Sequence, residues 1–583
     1  MSAPQDPASG DPVADTPDAS FEEGPVDAAV DVPVDVLAAA RTAAGIDQLR
    51  PGQDEAVLSA LERDTLAVLA TGTGKTAVYE TVAYLRPGPT VVVSPTISLQ
   101  RDQVHSLRSH GHGAAALNST VRVATRRKAL ADFAAHRIEF LVLAPEQLRD
   151  DDLVDALAEA EPSLFVVDEA HCLSEWGHDF RPDYLQLGLV VARLGSPRVL
   201  ALTATAAPRV RRDITERLGM RDPAVVVGVA DRPAIHLAAT VFASARHRDE
   251  AVVEAALGVD GAVIVYAPTR RRCEELAAAM TAAGRDAAVY HAGLAARRRS
   301  EVADAFLAGR AGADLVVATS AFGMGVDRAD VRAVLHAGPP TSIDEYVQQM
   351  GRAGRDGEAA LGHLFFRAED FALGRYLESG GGSTEADLRL VLGAVLDGGR
   401  GRRWRTGEIA DAVAERAGHD GAVRGPGRRR LSLAVGTLLT VGVLRRHRDG
   451  LRLDSAVDPD DGVGPLLERA LAARARRREY DATRLDKMRA YAETLDCRRR
   501  VLLELLGEDH AHVCGACDNC EAGSSQESLD RPFALGSTVT HPTWGAGTIS
   551  HYESDRVVVL FGEVGYRTLA LELVLDKGLL SAA

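Results

Sequence analysis

The chain has 583 residues, of which 46% are apolar and 26% are charged. At roughly 150 residues per domain this length predicts about four domains, and the apolar content excludes a mainly disordered chain. The formal net charge of −16, taken alone, argues against a protein that binds nucleic acid. However, residues 1–35 hold nine acidic residues and no Lys or Arg, whereas residues 398–452 hold thirteen arginines against five acidic residues. This uneven distribution leaves nucleic acid open as a partner.

The N-terminal segment carries no recognisable targeting signal. Residues 1–34 are rich in Pro, Asp and Ala and have no hydrophobic period, which predicts a disordered acidic tail. They lack the basic and apolar regions of a secretory signal, and the chain has no run of about 18 uncharged apolar residues. We therefore expect a cytoplasmic protein with no membrane partner.

Short apolar runs alternate with helical stretches through the next 340 residues or so. Continuous apolar strands that alternate with helices predict parallel sheets covered on both faces. The fold class is therefore α/β, with two domains of this kind at residues 35–230 and 231–380. The predicted strands are 65–70, 90–94, 140–144, 164–168 and 199–205 in the first domain, and 262–267, 286–291, 314–319 and 333–338 in the second.

A candidate phosphate-binding loop follows the first predicted strand and opens a helix. Its residues are Thr71, Gly72, Thr73, Gly74, Lys75 and Thr76. Glycines let backbone N–H groups approach phosphates, and a helix N-terminus favours negative charge. Lys75 would reach the β- and γ-phosphates of a nucleotide, and the Thr76 hydroxyl would bind Mg²⁺. The alternative for this fragment alone is a glycine-rich turn.

Two neighbouring acids, Asp168 and Glu169, stand at the end of another strand. An acid at a strand tip can hold Mg²⁺, and a neighbouring Glu can orient the attacking water. A lone pair of this kind is as often a solvated loop, but a phosphate loop in the same sheet makes that reading improbable.

These motifs and their order resemble those of superfamily 2 helicases and, within them, the RecQ-type DNA helicases. The resemblance covers roughly residues 45–370 and returns at 484–520, and it implies two RecA-like motor domains with ATP in the cleft between them. It assigns Arg50 and Gln53 to adenine. It also matches Ser94–Leu99, Leu117–Ser119, Ala144–Glu146, Leu202–Ala206, Tyr290–Leu294 and Ala318–Asp327 to helicase motifs.

The segment His171–Tyr184 is similar to the aromatic-rich loop of RecQ-type enzymes. Trp176 and Phe180 can stack on unpaired bases, and His178 and Arg181 can link this loop to the ATP site. The alternative is that these aromatic residues fill a core.

The resemblance also assigns residues of the second domain to the ATP site. It places Gln348, Arg352 and Arg355 at the γ-phosphate, and Asp327 among the nucleotide-binding residues. An arginine supplied there stabilises charge in the transition state. The alternative for the two arginines is surface ion pairing.

Four of the six cysteines form a predicted zinc site within residues 460–522. Cys497, Cys514, Cys517 and Cys520 have the spacing C-x₁₆-C-x₂-C-x₂-C, and four thiolates close a tetrahedral structural site. The alternatives are free thiols, a redox pair or an iron–sulfur cluster.

Residues 384–458 predict three helices, at 386–396, 407–417 and 429–439, and a hairpin at 443–453. This order suggests a winged helix, in which Arg445, Arg446 and Arg448 of the hairpin could grip DNA phosphates. The alternative is a solvated basic face that binds no nucleic acid.

A linker at 523–532 predicts that few contacts join the C-terminal residues 533–577 to the rest. These residues resemble the Tudor/SH3-like tail of the PcrA/UvrD helicases. A protein partner is expected on this small β-barrel, and the alternative is a purely structural barrel.

The resemblance as a whole implies a nucleoid-associated, ATP- and Mg²⁺-dependent DNA helicase that moves 3′ to 5′ in repair or recombination. Its expected partners are single-stranded DNA and duplex/single-strand junctions. The alternatives are a nucleoprotein remodeller or RNA helicase, and, from another class, a junction-binding scaffold with a vestigial ATPase.

Overall fold

The computed structural model describes residues 34–46, 48–86, 88–174, 180–228, 231–310, 312–323, 327–371, 383–399, 401–419, 426–447, 450–454, 456–508, 512–525, 532–533, 537–553, 556–561 and 565–582. The predicted acidic tail, most of the predicted linker and the tip of the aromatic-rich loop lie outside these ranges.

The first α/β domain is built on a seven-stranded parallel sheet in the order β3-β4-β2-β5-β6-β1-β7. Its strands are β1 (Thr65–Val68), β2 (Thr90–Val93), β3 (Ala114–Leu117), β4 (Phe140–Leu143), β5 (Leu164–Val167), β6 (Arg198–Thr203) and β7 (Ala224–Val227). Its helices are α1 (Val34–Ala44), α2 (Gln53–Glu62), α3 (Lys75–Leu85), α4 (Ile97–Ser109), α5 (Val123–Ala134), α6 (Asp151–Glu159), α7 (Leu187–Arg193) and α8 (Pro208–Leu218).

The second α/β domain has a six-stranded parallel sheet in the order β10-β11-β9-β12-β13-β8. Its strands are β8 (Ile235–Val241), β9 (Ala262–Tyr266), β10 (Ala288–Tyr290), β11 (Leu315–Ala318), β12 (Val331–His336) and β13 (Ala360–Phe366). Its helices are α9 (Ala245–Leu257), α10 (Arg270–Ala282), α11 (Ala296–Leu307) and α12 (Ile343–Met350). The two tandem parallel sheets confirm the predicted fold class.

The predicted strands of the two α/β domains lie mainly in the sheet interiors. In β2 and β5, for example, every residue is buried, because helices cover both faces of the sheet. The sequence prediction missed β3, β7, β8 and β13. Three of these, β3, β7 and β8, are sheet edges, where one side lacks a neighbouring strand, although β7 (AVVV) is a continuous apolar run.

The region after the second sheet contains three helices, α13 (Glu385–Asp397), α14 (Thr406–His419) and α15 (Arg428–Thr440). Thr384 and Asp387 form a reciprocal capping box that begins α13. A hairpin of β14 (Leu444–His447) and β15 (Gly450–Leu453) follows, and Trp404 forms an antiparallel bridge to Leu451. The three helices and the hairpin are the elements predicted for this region, the bridge was not predicted, and the winged-helix assignment stays a prediction.

The remaining helices are the long α16 (Val463–Glu493), α17 (Arg498–Leu506) and α18 (Asp518–Glu521). The C-terminal antiparallel sheet has the order β19-β18-β17-β16-β20. Its strands are β16 (Thr538–His541), β17 (Gly545–Glu553), β18 (Arg556–Phe561), β19 (Gly565–Ala570) and β20 (Ser581–Ala582), with α19 (Leu571–Lys577) before the last.

The C-terminal sheet shares one apolar core with the zinc segment and the second α/β domain. Val559 and Phe561 of the sheet belong to the same buried cluster as Met488 of α16 and Leu364 of β13. Strand β17 also packs against α16. This differs from the expectation of few contacts, because apolar side chains of the C-terminal sheet are buried in the shared core. Among the described residues, no helix is long and apolar enough to cross a membrane.

Candidate active site

The candidate phosphate loop lies between the end of β1 and the start of α3. Gly72 and Gly74 adopt φ values of +81° and +82°, which favour glycine. Gly74 is the N-cap of α3, so the first helical residue is Lys75. Backbone N–H groups at this helix start have no helical partner, and they favour a bound anion.

Residues Arg50 and Gln53 brace the same loop from the start of α2. The Arg50 guanidinium donates to the Gly72 carbonyl oxygen at 2.9 Å. The Gln53 side-chain amide donates to the carbonyl oxygens of Thr73 at 2.5 Å and Gly74 at 3.0 Å. Both residues predicted to contact adenine therefore hold the loop backbone.

The two predicted acids lie at the carboxyl end of β5. Asp168 is buried and its Oδ2 accepts a hydrogen bond of 2.7 Å from the Gln103 side chain. Burial, together with the adjacent Glu169, raises the pKa of Asp168 to about 7, although Lys75 opposes this shift. A buried carboxylate near one lysine suits a divalent cation, since a cation would stabilise its charged form.

The backbone at Glu169 takes a left-handed conformation, with φ of 49°. This turn brings Glu169 Oε2 to 3.4 Å from His171 Nδ1, which also lies 2.9 Å from the Thr203 hydroxyl. Through His171, the acid pair is joined to Thr203 in the segment Leu202–Ala206. Thr203 ends β6, the strand next to β5 in the sheet.

The second domain places its arginines against the phosphate loop. A Cβ atom at Gly72 would lie only 3.0 Å from Arg355 Nε, so the guanidinium packs on this glycine. Arg355 also pairs with Asp327, which is largely exposed. Arg352 and Gln348 are buried on the same side of the cleft, on or just after α12. The structure thus brings residues of both domains together around the loop.

A further arginine, Arg232, was missed by the sequence analysis. One of its nitrogens, Nη1, donates to the carbonyl oxygens of Thr71 at 2.7 Å and Gly351 at 3.1 Å. Its other terminal nitrogen donates to those of Ala353 and Gly354 at 3.0 and 3.1 Å. No sequence motif identifies it, because its partners are backbone carbonyls that any residue provides.

Part of the predicted DNA-binding set lies within the described residues. Arg181 donates to the carbonyl oxygen of Pro95 at 2.6 Å, which joins the base of the aromatic-rich loop to the segment Ser94–Leu99. Phe180 is half-buried. Trp176 and His178 lie outside the described residues.

The predicted basic hairpin is described in part. Arg445 is exposed and pairs with the buried Asp454. Arg448 and the side chain of Arg446 lie outside the described residues.

The four predicted zinc ligands lie together, three of them between α16 and α18 and Cys520 within α18. The sulfur atoms of Cys497, Cys514, Cys517 and Cys520 all lie within 4.8 Å of one another. Zn–S bonds of about 2.3 Å in a tetrahedron place sulfurs about 3.8 Å apart, and the Cys514 and Cys520 sulfurs are 3.9 Å apart. The cluster fits a structural zinc ion, and it confirms the predicted ligand grouping.

The fold and the cleft together define a protein of the superfamily 2 helicase class. Residues 50–214 match the DEAD/DEAH box helicase family, and residues 248–357 match the helicase conserved C-terminal domain. Residues 460–521 match the RecQ zinc-binding domain. The chain belongs to the RecQ family.

Curated relatives match the helicase part of the chain. It is 38% identical over 332 residues to a probable ATP-dependent DNA helicase RecS of Bacillus subtilis, covering 56% of this chain and 66% of that protein. It is 36% identical to the ATP-dependent DNA helicase RecQ of Pasteurella multocida and 35% identical to that of Haemophilus influenzae. These two matches cover 56% and 58% of this chain, and 51% and 54% of the relatives. The chain thus spans between about half and two thirds of the relatives it matches.

The raised pKa of Asp168 predicts a pH-dependent stability. Its pKa is about 7 in the folded chain and about 3.8 in the unfolded chain, so the folded state binds the extra proton between these values. In metal-free protein, the free energy of unfolding should therefore fall as the pH rises from about 4 to 7. Asp168→Asn should remove this part of the slope, as measured by urea unfolding at pH 5.5 and 8.0. If the free energy of unfolding of Asp168→Asn changes with pH as steeply as that of the wild type, Asp168 does not have the raised pKa.

The cysteine cluster predicts one zinc ion per chain. Cys514→Ala should lose the metal and yield poorly soluble protein, since a structural zinc contributes folding free energy. Cys273→Ala is the matched control, because Cys273 is buried in α10 away from the cluster. Elemental analysis that finds no zinc, or finds iron, in the wild type excludes the site as described.

Proposed function

We propose that the protein is an ATP-dependent DNA helicase of the RecQ type that moves 3′ to 5′ and unwinds DNA in repair or recombination. The single observation that carries this proposal is the packing of Arg355, from the second domain, on Gly72 of the phosphate loop in the first. A cleft that joins a phosphate loop to an arginine from another domain is the arrangement by which NTPases couple domain closure to hydrolysis.

Different residues of the cleft would bind the phosphates, hold Mg²⁺ and stabilise the transition state. The loop 71–76 would hold the phosphates through backbone N–H groups and Lys75, while Thr76 and Asp168 would hold Mg²⁺. Bound Mg²⁺ supplies charge neutralisation on the phosphate oxygens. Glu169 would orient the attacking water, and Arg352, Arg355 and Gln348 would stabilise charge at the γ-phosphate.

Three features support coupling to single-stranded DNA. Arg181 ties the base of the aromatic-rich loop to Pro95, in a segment proposed to contact the nucleic-acid backbone. His171 ties the acid pair to Thr203. Phe180 sits half-buried at the loop's end. One contact holds the base of the aromatic-rich loop and the other holds the acid pair, which supports the proposed coupling between them.

The proposed DNA contacts extend to the winged-helix-like domain at 384–458, whose α15 packs against the segment Pro182–Gln186. A basic domain held beside the aromatic-rich loop suits a duplex/single-strand junction.

The C-terminal residues 533–577 are proposed to recruit a protein partner. For a protein with this activity we propose a cytoplasmic, nucleoid-associated localisation.

A strand-displacement assay tests the function. DNA duplexes with a 3′ or a 5′ single-stranded tail, and the equivalent RNA duplexes, are incubated with the protein, ATP and Mg²⁺. Unwinding of the 3′-tailed DNA is expected. Preference for RNA would establish an RNA helicase instead, and ATP hydrolysis without displacement of any strand would favour a nucleoprotein remodeller. DNA binding with no hydrolysis at all would favour a scaffold.

Lys75→Ala should abolish DNA-stimulated ATP hydrolysis, because Lys75 supplies the loop's cationic side chain at the start of α3. We expect a loss of at least about a hundredfold in turnover, with binding to single-stranded DNA retained. Arg271→Ala, at a largely exposed arginine paired with Glu275, is the matched control and should hydrolyse ATP normally. Substantial residual hydrolysis by the purified Lys75 variant would show that Lys75 does not bind the phosphates of ATP.

The aromatic-rich loop should couple DNA to hydrolysis. Trp176→Ala and Phe180→Ala should each lose DNA-stimulated turnover while basal turnover remains, because base stacking is worth about 1–3 kcal/mol per base. Single-strand affinity, measured by fluorescence anisotropy, should weaken in parallel. Variants that keep full stimulation would show instead that the two aromatic residues are structural.

A further inference from the structure

The segment that connects the two motor domains carries two adjacent charged residues. One of them contacts the cleft and the other contacts the zinc segment. Arg232 reaches into the cleft, where its guanidinium spans the two domains. It donates to Thr71 of the phosphate loop in the first domain, and to Gly351, Ala353 and Gly354 of the second. These last three carbonyls belong to the loop that carries Arg352 and Arg355.

The neighbouring Asp231 points to the zinc segment. It forms an ion pair with Arg499 of α17, two residues after the zinc ligand Cys497. Arg499 is 5% exposed and also donates to the carbonyl oxygen of Ile235, the first residue of β8, at 2.8 Å. A planar guanidinium that holds both the connecting segment and a strand end leaves that segment little freedom.

The approach of the two domains at this point is close. A Cβ atom at Gly351 would lie 3.3 Å from the Thr71 Cβ atom, so the backbone at Gly351 packs closely on the Thr71 side chain. Small losses of alignment here would move the arginines at 352 and 355 away from the phosphate loop, and a misplacement of about 1 Å can cost about a hundredfold in rate.

We propose that Arg232 is a positioning residue that holds the arginine-bearing loop of the second domain over the phosphate loop, and that the Asp231–Arg499 pair fixes Arg232 for this task. The zinc segment thereby acts on the ATP cleft through the chain that joins the two domains. The role in turnover rests on the proposed ATPase function, whereas the role in holding the domains together does not.

The structure separates this role from nucleotide binding. Arg50, Gln53 and the loop 71–76 belong to the first domain, so they remain when the cross-cleft hydrogen bond is lost. Loss of Arg232 should therefore lower kcat and leave KM for ATP nearly unchanged. A lysine cannot replace it, because one ammonium group lacks the planar fork that reaches both domains.

The experiment compares full-length, zinc-loaded wild type with Arg232→Ala, Arg232→Lys and the control Arg271→Ala. Zinc content and the thermal unfolding midpoint establish that each variant is folded. DNA-stimulated ATP hydrolysis gives kcat and KM, and small-angle X-ray scattering without nucleotide gives the radius of gyration. We expect kcat of both Arg232 variants to fall about 10- to 100-fold, KM to change less than about threefold, and the radius of gyration to rise.

A double-mutant cycle tests the link to the zinc segment. Asp231→Asn preserves the shape of the side chain and removes its charge, and it should lower kcat roughly threefold or more in the wild-type background. In the Arg232→Ala background the same change should have no further effect, because Asp231 acts through Arg232. A merely structural role for Asp231 would lower the unfolding midpoint and give additive losses in kcat.

The outcomes distinguish the two proposals. A wild type that hydrolyses no ATP overturns the proposed function, and the scattering comparison still decides whether Arg232 holds the domains together. An active wild type with normal kcat and unchanged radius of gyration in the Arg232 variants overturns the positioning role. Additive losses in the cycle overturn the link from Asp231 to Arg232.

Discussion

The gathering of positive charge around one backbone loop is the constraint on which the rest of the structure depends. Guanidinium groups of Arg50, Arg232 and Arg355 all contact the loop at Thr71 and Gly72, although they come from three different segments. Burial, then the proximity of Arg355 and Arg50, lowers the pKa of Arg232. Burial and the neighbouring Arg352 likewise lower the pKa of Arg355. Repulsion between like charges this close opposes closure of the cleft, and the hydrogen bonds that Arg232 donates to backbone carbonyls of both domains offset it.

The parallel sheets explain why these groups can meet. Carboxyl ends of parallel strands share one edge of a sheet, so the loops after β1, β5 and β6 bring the phosphate loop, the acid pair and Thr203 together. The arginine loop after α12 closes the cleft from the second sheet. In this arrangement the strands provide rigidity, and the chemistry lies in loops whose backbones are held by side chains such as Gln53 and Arg232.

The sequence predicted the parts of this site whose chemistry depends on residue type. Glycine at 72 is required by a positive φ and by the close guanidinium of Arg355, and clustered cysteines have few uses in a chain without a disulfide framework. The interior strands were also predictable, because burial on both faces demands continuous apolar runs. The edge strand β3, with the sequence AAAL, was missed because small alanines carry little apolar signal.

Other features could not be predicted, because their partners are backbone atoms distant in sequence. Arg232 follows Asp231 and precedes Pro233, and nothing in that tripeptide specifies four carbonyl acceptors more than a hundred residues away. The same holds for Gln103, whose hydrogen bond to Asp168 joins α4 to the turn after β5, 65 residues further along the chain. The packing of the C-terminal sheet on α16 also depends on tertiary contacts, since its apolar strands would suit an independent domain equally well.

The zinc segment has an architecture that a purely stabilising role does not require. Three consecutive arginines, Arg498, Arg499 and Arg500, are each 5% exposed or less, and each pairs with a carboxylate: Asp518, Asp231 and Asp496 respectively. Buried ion pairs contribute little net stability, because desolvation offsets their attraction, but they are strongly directional. Two of these carboxylates lie within the zinc segment itself, beside the ligands Cys497 and Cys517, whereas the third belongs to the chain between the motor domains. A metal that immobilises α17 therefore also determines where Arg499 can meet Asp231. A series of such contacts therefore runs from the four cysteine sulfurs through Arg499 to Asp231, which lies beside Arg232. A zinc ion bound to these sulfurs would thereby affect the geometry of the distant cleft.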